Sequence, residues 1–288
     1  MRTTDATFLA LVDEYVGEHR MDPVVDDAVD PWLYSADCGV TKVLAGGKQI
    51  KPISRLYVGG LKIFEGRVKD EMAGRMLSTW RDVITAHSNE FVRVRAAAVE
   101  VNGTAIVMPS APQPHLPMLA GLLTREGAGY LGDELVNIDA VFRRVHGLSL
   151  PLLVDGSDLG AFPDIVREPT KRRPKGTPEE VEGRTPRRPV PIRSLGRAAA
   201  GPVPIGWIVF PTFVRGDETG FREMARAEAV FRLSQAILNL HIWNERALFL
   251  MQDLVDDVAV AELRIGSPEE AVRLILDAAP SLVPAAGR

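Results

Sequence analysis

The stretch Ile106-Val-Met-Pro-Ser-Ala-Pro-Gln-Pro-His-Leu-Pro-Met-Leu-Ala-Gly-Leu-Leu-Thr-Arg125 decides how this chain is read. An apolar run that suits a strand enters a short loop, and an apolar run with helical spacing leaves it. Phosphate-binding loops stand at such junctions, where the free amides of a helix N-terminus face the anion. Here the loop holds no glycine and no lysine, and four prolines fall within the nine residues from Pro109 to Pro117. The stretch has the layout of a nucleotide site without its chemistry.

Working outward, the segments Phe91–Val101 and Thr104–Met108 flank Asn102-Gly103. Two β-prone runs joined by Asn-Gly predict a type I′ hairpin, because both central residues tolerate positive φ. On the other side, Met118 to Leu123 reads as helix and Glu126-Gly-Ala-Gly as the turn out of it. Tyr130 to Asp139 reads as the next strand, so strand, loop, helix and strand make a βαβ-like unit.

Further upstream, residues 1–20 and 69–87 have helical spacing, and 30–66 reads as short strands with a Gly59-Gly60 turn. Downstream, residues 167–193 turn basic and proline-rich and are expected to be mobile, since such sequence has little to bury. Residues 204–213 predict a buried strand and 221–255 predict helix. Ser267-Pro-Glu-Glu270 carries an N-cap serine, a proline at the first helical position and a glutamate at N3, which predicts a final helix through Leu276.

The chain has 288 residues, 46% hydrophobic and 25% charged, which suits one large domain or a small one beside a larger one. A net charge of −4 gives no reason to expect nucleic acid or an anionic membrane as partner. Cys38 is the only cysteine, so there is no disulfide framework and no thiolate metal cluster. No uncharged apolar run is long enough to span a bilayer, and the N-terminus lacks the pattern of a signal peptide, so the cytoplasm is the expected compartment.

Taken in order, five segments give the chain a family likeness. They are Arg95-Ala-Ala-Ala-Val-Glu-Val-Asn-Gly103, Gly127-Ala-Gly-Tyr-Leu-Gly-Asp-Glu-Leu-Val136, Trp207-Ile-Val-Phe-Pro211, Ala225-Arg-Ala-Glu-Ala-Val-Phe-Arg-Leu233 and Leu263-Arg-Ile-Gly-Ser-Pro-Glu-Glu-Ala271. Over roughly residues 91–278 the chain resembles the catalytic domain of HPr kinase/phosphorylase and its smaller relatives beside ribosomally made, modified peptides. The resemblance implies an α/β fold: an HPr-kinase-like P-loop domain of the PEP-carboxykinase type over 87–288, after a small α+β region over 1–86.

Active members carry a Walker A loop of the form Pro-Gly-x-x-Gly-x-Gly-Lys-Ser-Thr-Leu. Laid on it without a gap, Ser110 falls on the first glycine and Gln113 and His115 on the others, Leu116 on the lysine, and Pro117-Met118 on the hydroxyl pair. Proline has no N–H, so Pro112, Pro114 and Pro117 each delete a donor from the cradle. Charge-assisted hydrogen bonds contribute roughly 1.5–3 kcal/mol each, and losing three or four lowers phosphate affinity by about three orders of magnitude or more. Thr212 also stands where relatives commonly have arginine, and Arg95 where they often have histidine.

What survives is Asp133-Glu134, at the place of the family's Ser-Asp-Glu, whose carboxylate lies near Mg²⁺ and the acceptor in active relatives. The blander reading takes them as polar residues at a strand end. His115 reads as a loop residue at a helix N-terminus, with a replacement base as the sharper alternative. His87, His146 and His241 show no metal spacing, so no metal ligand is expected. The expectation is a pseudokinase that binds a protein or peptide partner in a peptide-modification or regulatory pathway and needs no cofactor. The alternatives are a divergent ATP- and Mg²⁺-dependent serine kinase using Asp133 and Glu134, or a structural subunit that forms a homo-oligomer through the 221–255 helices.

Overall fold

The computed structural model describes residues 1–16, 34–39, 52–87, 89–110, 115–165, 187–214 and 216–279, with scattered positions between 42 and 50. The chain is a mixed α/β protein with two principal sheets.

The first sheet has four strands in the order Arg2–Thr3, Tyr34–Cys38, Ser54–Val58 and Leu61–Gly66. Gly59 and Gly60, at φ of 54° and 89°, close the expected turn between the last two. Helices Ala6–Val16 and Lys69–His87 cover this sheet, the latter with the bounds its periodicity predicts. Phe8, Leu56, Met72 and Met76 are fully buried between them, and Leu150 and Leu153 from the larger region complete the same core.

The second sheet has nine strands around Val203–Phe213. On one side this long strand pairs in parallel with Thr104–Pro109, which pairs antiparallel with Ala96–Val101, which pairs antiparallel with Gly129–Gly132. On its other side it pairs first with Arg144–His146 and then, from Trp207 on, with Ala259–Ile265, whose outer neighbour is Gly220–Glu223. Val136–Ile138 and Val92–Val94 continue the sheet beyond Arg144–His146.

Asn102 and Gly103, at φ of 53° and 79°, make the predicted hairpin turn. The strand expected over 91–101 is interrupted at Arg95, whose N–H leaves the ladder for the carbonyl of Ala236 at 2.8 Å. The strand and helix after the hairpin lead to Gly129–Gly132, which runs parallel to Thr104–Pro109 with Ala96–Val101 between them. The βαβ-like unit is therefore a crossover that skips one strand.

Helix Leu116–Arg125 packs on one face of the sheet with Pro268–Ala278, around Met108, Trp207, Val209 and Leu263. Gly121 admits Phe162 to this helix, for a Cβ there would lie 2.7 Å from the ring. On the other face, Arg226–Gln235 and Glu245–Asp257 bury Leu233, Leu250, Met251 and Leu254.

Three expectations are corrected. The helix expected over 221–255 begins as the edge strand Gly220–Glu223 and then breaks into Arg226–Gln235, Leu240–Trp243 and Glu245–Asp257. The last break falls at Asn244, whose φ of 49° no continuous helix accommodates. The strand expected over 130–139 is two strands, because the pairing shifts register at Tyr130/Gly132 and the chain bends before Val136 changes partners.

The third concerns the basic segment. Its end is packed rather than mobile: Arg188–Val190 pairs with Leu152–Val154, and Val190 and Ile192 are buried. Residues 166–186 of that segment, and Gln113 with its neighbours 111–114, lie outside the described residues. Among the described residues no helix is long and apolar enough to cross a membrane.

Candidate functional site

Parallel strands put their carboxyl ends on the same edge of a sheet, and here two such ends carry the residues singled out in the sequence. Val107 and Gly132 both register against Ala98, from opposite sides. The strand preceding the loop and the strand preceding Asp133 thus end about 10 Å apart, two strand spacings. Ser110 leaves the first strand at 8% exposure, its N–H donated to the carbonyl of Arg95 at 3.3 Å.

The chain re-enters the described residues at His115, the N-cap of helix Leu116–Arg125, with no side-chain hydrogen bond capping that end. His115 is held from the side instead. Its Nδ1 lies 2.9 and 3.0 Å from the two carboxylate oxygens of Asp158, and its ring packs on Phe213 at 5.1 Å between centroids. Asp158 is itself buried.

Leu116 and Pro117 are buried too. Leu116 is 3% exposed and packs with Leu119, Ala120 and Met108, on the sheet side of the helix. Pro117 brings no N–H to the first turn. An alkyl chain drawn into the core cannot reach an anion beyond the loop, whatever replaced its end. Of the described loop positions, only His115 is substantially open to solvent, at 38% of its side chain.

Asp133 and Glu134 follow Gly132 at the bend between the two strands. Asp133 is 3% exposed, and three groups take its oxygens. The guanidinium of Arg81 lies 2.8 Å from Oδ1, the Tyr130 hydroxyl donates to Oδ1 at 3.0 Å, and the Leu153 N–H donates to Oδ2 at 3.3 Å. Arg81 comes from the N-terminal helix Lys69–His87 and donates to the Pro151 carbonyl as well, at 2.8 Å.

Burial pushes the Asp133 carboxyl upward; Arg81 pulls it back in part, and the net direction is up. Burial works against the charge on Arg81, but Asp133, Tyr130 and Glu134 together outweigh it and hold the guanidinium above its ordinary value. Tyr130 is raised well above its usual range, by burial first and then by Asp133.

Glu134 bridges outward. One oxygen lies 3.0 Å from Arg81 Nη1, the other 2.5 Å from Arg187 Nη1, and Arg187 Nε is 3.5 Å from Asp155. Asp133 and Glu134 form a clasp between the N-terminal region and the larger sheet, buried at Asp133 and partly open at Glu134.

Sequence reading missed Arg81 and Asp158, and it missed the partner of Arg187. Each partners a residue 43 or more positions away, and neither periodicity nor a local motif reports such a contact. Thr212 donates to Glu262 at 3.1 Å, and Cys38 is buried in the N-terminal core with its thiol pushed up by desolvation. Among the described residues no group of three or more His, Cys, Asp or Glu side chains is placed to hold a metal ion. No family model and no curated protein matches the chain.

Proposed function

We propose that this protein is a non-catalytic member of the HPr-kinase-like group, one that has lost nucleotide binding and uses the scaffold to bind a protein or peptide partner in a peptide-modification or regulatory pathway. The observation that carries the reading is the burial of Leu116, at 3% exposure, at the position that the resemblance gives to the phosphate-binding lysine. A P-loop needs a charge and successive backbone donors facing outward. Here the side chain at the charge position belongs to the core, and the next residue is a proline. ATP and Mg²⁺ do not fit these residues, so no step of the reading passes through them.

The alternative, a divergent serine kinase, asks Asp133 to accept a proton from a substrate hydroxyl. A general base must come within hydrogen-bond reach of that hydroxyl. Asp133 is instead enclosed by Arg81, Tyr130 and the Leu153 amide.

The test is phosphoryl transfer from γ-labelled ATP with Mg²⁺, to the protein itself, to added peptide and to water. The reading expects no transfer above background, and the same background for Asp133→Asn. Transfer or hydrolysis that disappears in Asp133→Asn overturns it.

A further inference from the structure

Away from the loop, one buried charge remains unexplained. Arg93 sits at the centre of strand Val92–Val94 and is 3% exposed. Its Nη2 donates to Asn89 Oδ1 at 3.2 Å, while Nε and Nη1 have no partner. None of the ion pairs among the described residues includes it. Burial alone draws the guanidinium below its ordinary pKa, with no charged neighbour contributing. Arginine stays protonated in proteins, so the charge cannot be shed. Uncompensated burial of a charge is among the most unfavourable arrangements in a protein interior.

The neighbouring strand adds a second unpaired group. Asn137 lies directly opposite Arg93 and is 7% exposed, and its Oδ1 is buried without a partner. His146 lies directly opposite Asn137 on the following strand. Residues opposed in antiparallel pairs share a face, so Arg93, Asn137 and His146 form one row across three strands. Phe91 stacks on His146 at 4.6 Å between centroids, so its ring reaches across the middle strand. His146 ends the row on one side, with 34% of its side chain exposed and Nε2 3.8 Å from Asp139 Oδ2, and Asn89 is exposed beside Arg93 at the other.

We infer that Arg93 and Asn137 form a binding site for a small oxyanion, a carboxylate or a phosphate group. Arg93 supplies the charge and donors on two nitrogens. Asn137, whose amide turns about its last side-chain bond, presents its NH₂ to the same anion or accepts from a hydroxyl that the anion carries. This site is independent of the nucleotide loop and of the pseudokinase reading.

The experiment titrates the full chain with sodium phosphate and, separately, with sodium acetate, against sodium chloride at matched ionic strength. It reads the Arg93 Nε–H resonance and the melting temperature. A saturable displacement of that resonance, with a rise of roughly 5 °C near saturation, is expected for at least one of the two anions. Which anion responds separates phosphate from carboxylate ligands. Asn137→Asp places a carboxylate opposite Arg93, so it should raise the melting temperature in chloride and abolish the anion response. Arg93→Gln should abolish the response as well, and serves if the first variant does not fold. No saturable response to either anion, or a response unchanged in the variants, overturns the inference and leaves Arg93 hydrated by water.

Discussion

Two helices among the described residues begin with a proline in the first turn, and they are held in different ways. Pro268–Ala278 is capped: Ser267 accepts the Glu270 N–H at 3.3 Å, and Thr219 Oγ1 takes the N–H groups of Gly266 and Ser267. It buries only Ala271, Val272 and Ile275. Leu116–Arg125 has no side-chain cap, yet eight of its ten residues are buried. The first kind of helix is fixed by chemistry at its end, the second by packing along its length. A helix of the second kind can lose the loop chemistry before it and still form, because neither its start nor its stability depends on a bound phosphate.

That contrast orders the expected effects. The largest belongs to the clasp that fixes the bend beyond the packed helix. Arg81→Met removes the cation from buried Asp133 and should cost about 3–5 kcal/mol, as breaking a buried pair from one side does. Urea unfolding followed by tryptophan fluorescence measures it. A loss below about 1 kcal/mol would mean that the clasp is solvated and the bend is held by something else.

Next comes the packed helix itself. Leu116→Lys, which places lysine where the resemblance expects it, should destabilise by roughly 2–4 kcal/mol, because it trades a core side chain for an ammonium that must find water. A variant as stable as the parent would show that the position faces the loop and not the core. The capped helix should be less sensitive. Ser267→Ala should cost about 1 kcal/mol, the usual effect of removing an N-cap oxygen. Chemical denaturation resolves that difference, and a loss equal to that of Leu116→Lys would erase the distinction between the two helices.

The smallest effect is one of pH. The Phe142 N–H, and after it the Val141 N–H, hold the Asp139 carboxyl below its ordinary value. A depressed carboxylate contributes stability that is complete above its unfolded pKa and is lost as pH falls through the folded one. Asp139→Asn keeps an acceptor for both amides but does not titrate. The difference in melting temperature between parent and variant should therefore shrink as pH falls from about 4 to about 2. A gap that stays constant with pH would remove the electrostatic part of this account.

Features written in neighbouring residues were legible in the sequence. Asn102-Gly103 and Gly59-Gly60 reported their hairpins, Ser267 its helix start, and the spacing of Met72, Met76 and Leu77 the helix 69–87. Features that depend on distant partners were not. Gly220–Glu223 is a strand because Ala259–Ile265 offers it an edge, although its own sequence continues a helical pattern. The helix beyond it breaks around Asn239, a fully buried side chain that accepts the Arg93 N–H and donates to the Phe91 carbonyl. The position of Asp133 was readable and its partner was not, because Arg81 lies 52 residues earlier.

The most direct test of the central claim is calorimetric titration of the unmodified protein with ATP and Mg²⁺. With Leu116 in the core and Pro117 in the first helical turn, no heat of binding is expected at micromolar to submillimolar nucleotide. A saturable isotherm with a micromolar dissociation constant would contradict it, and would mean that the loop cradles phosphate through donors outside the first turn of helix Leu116–Arg125.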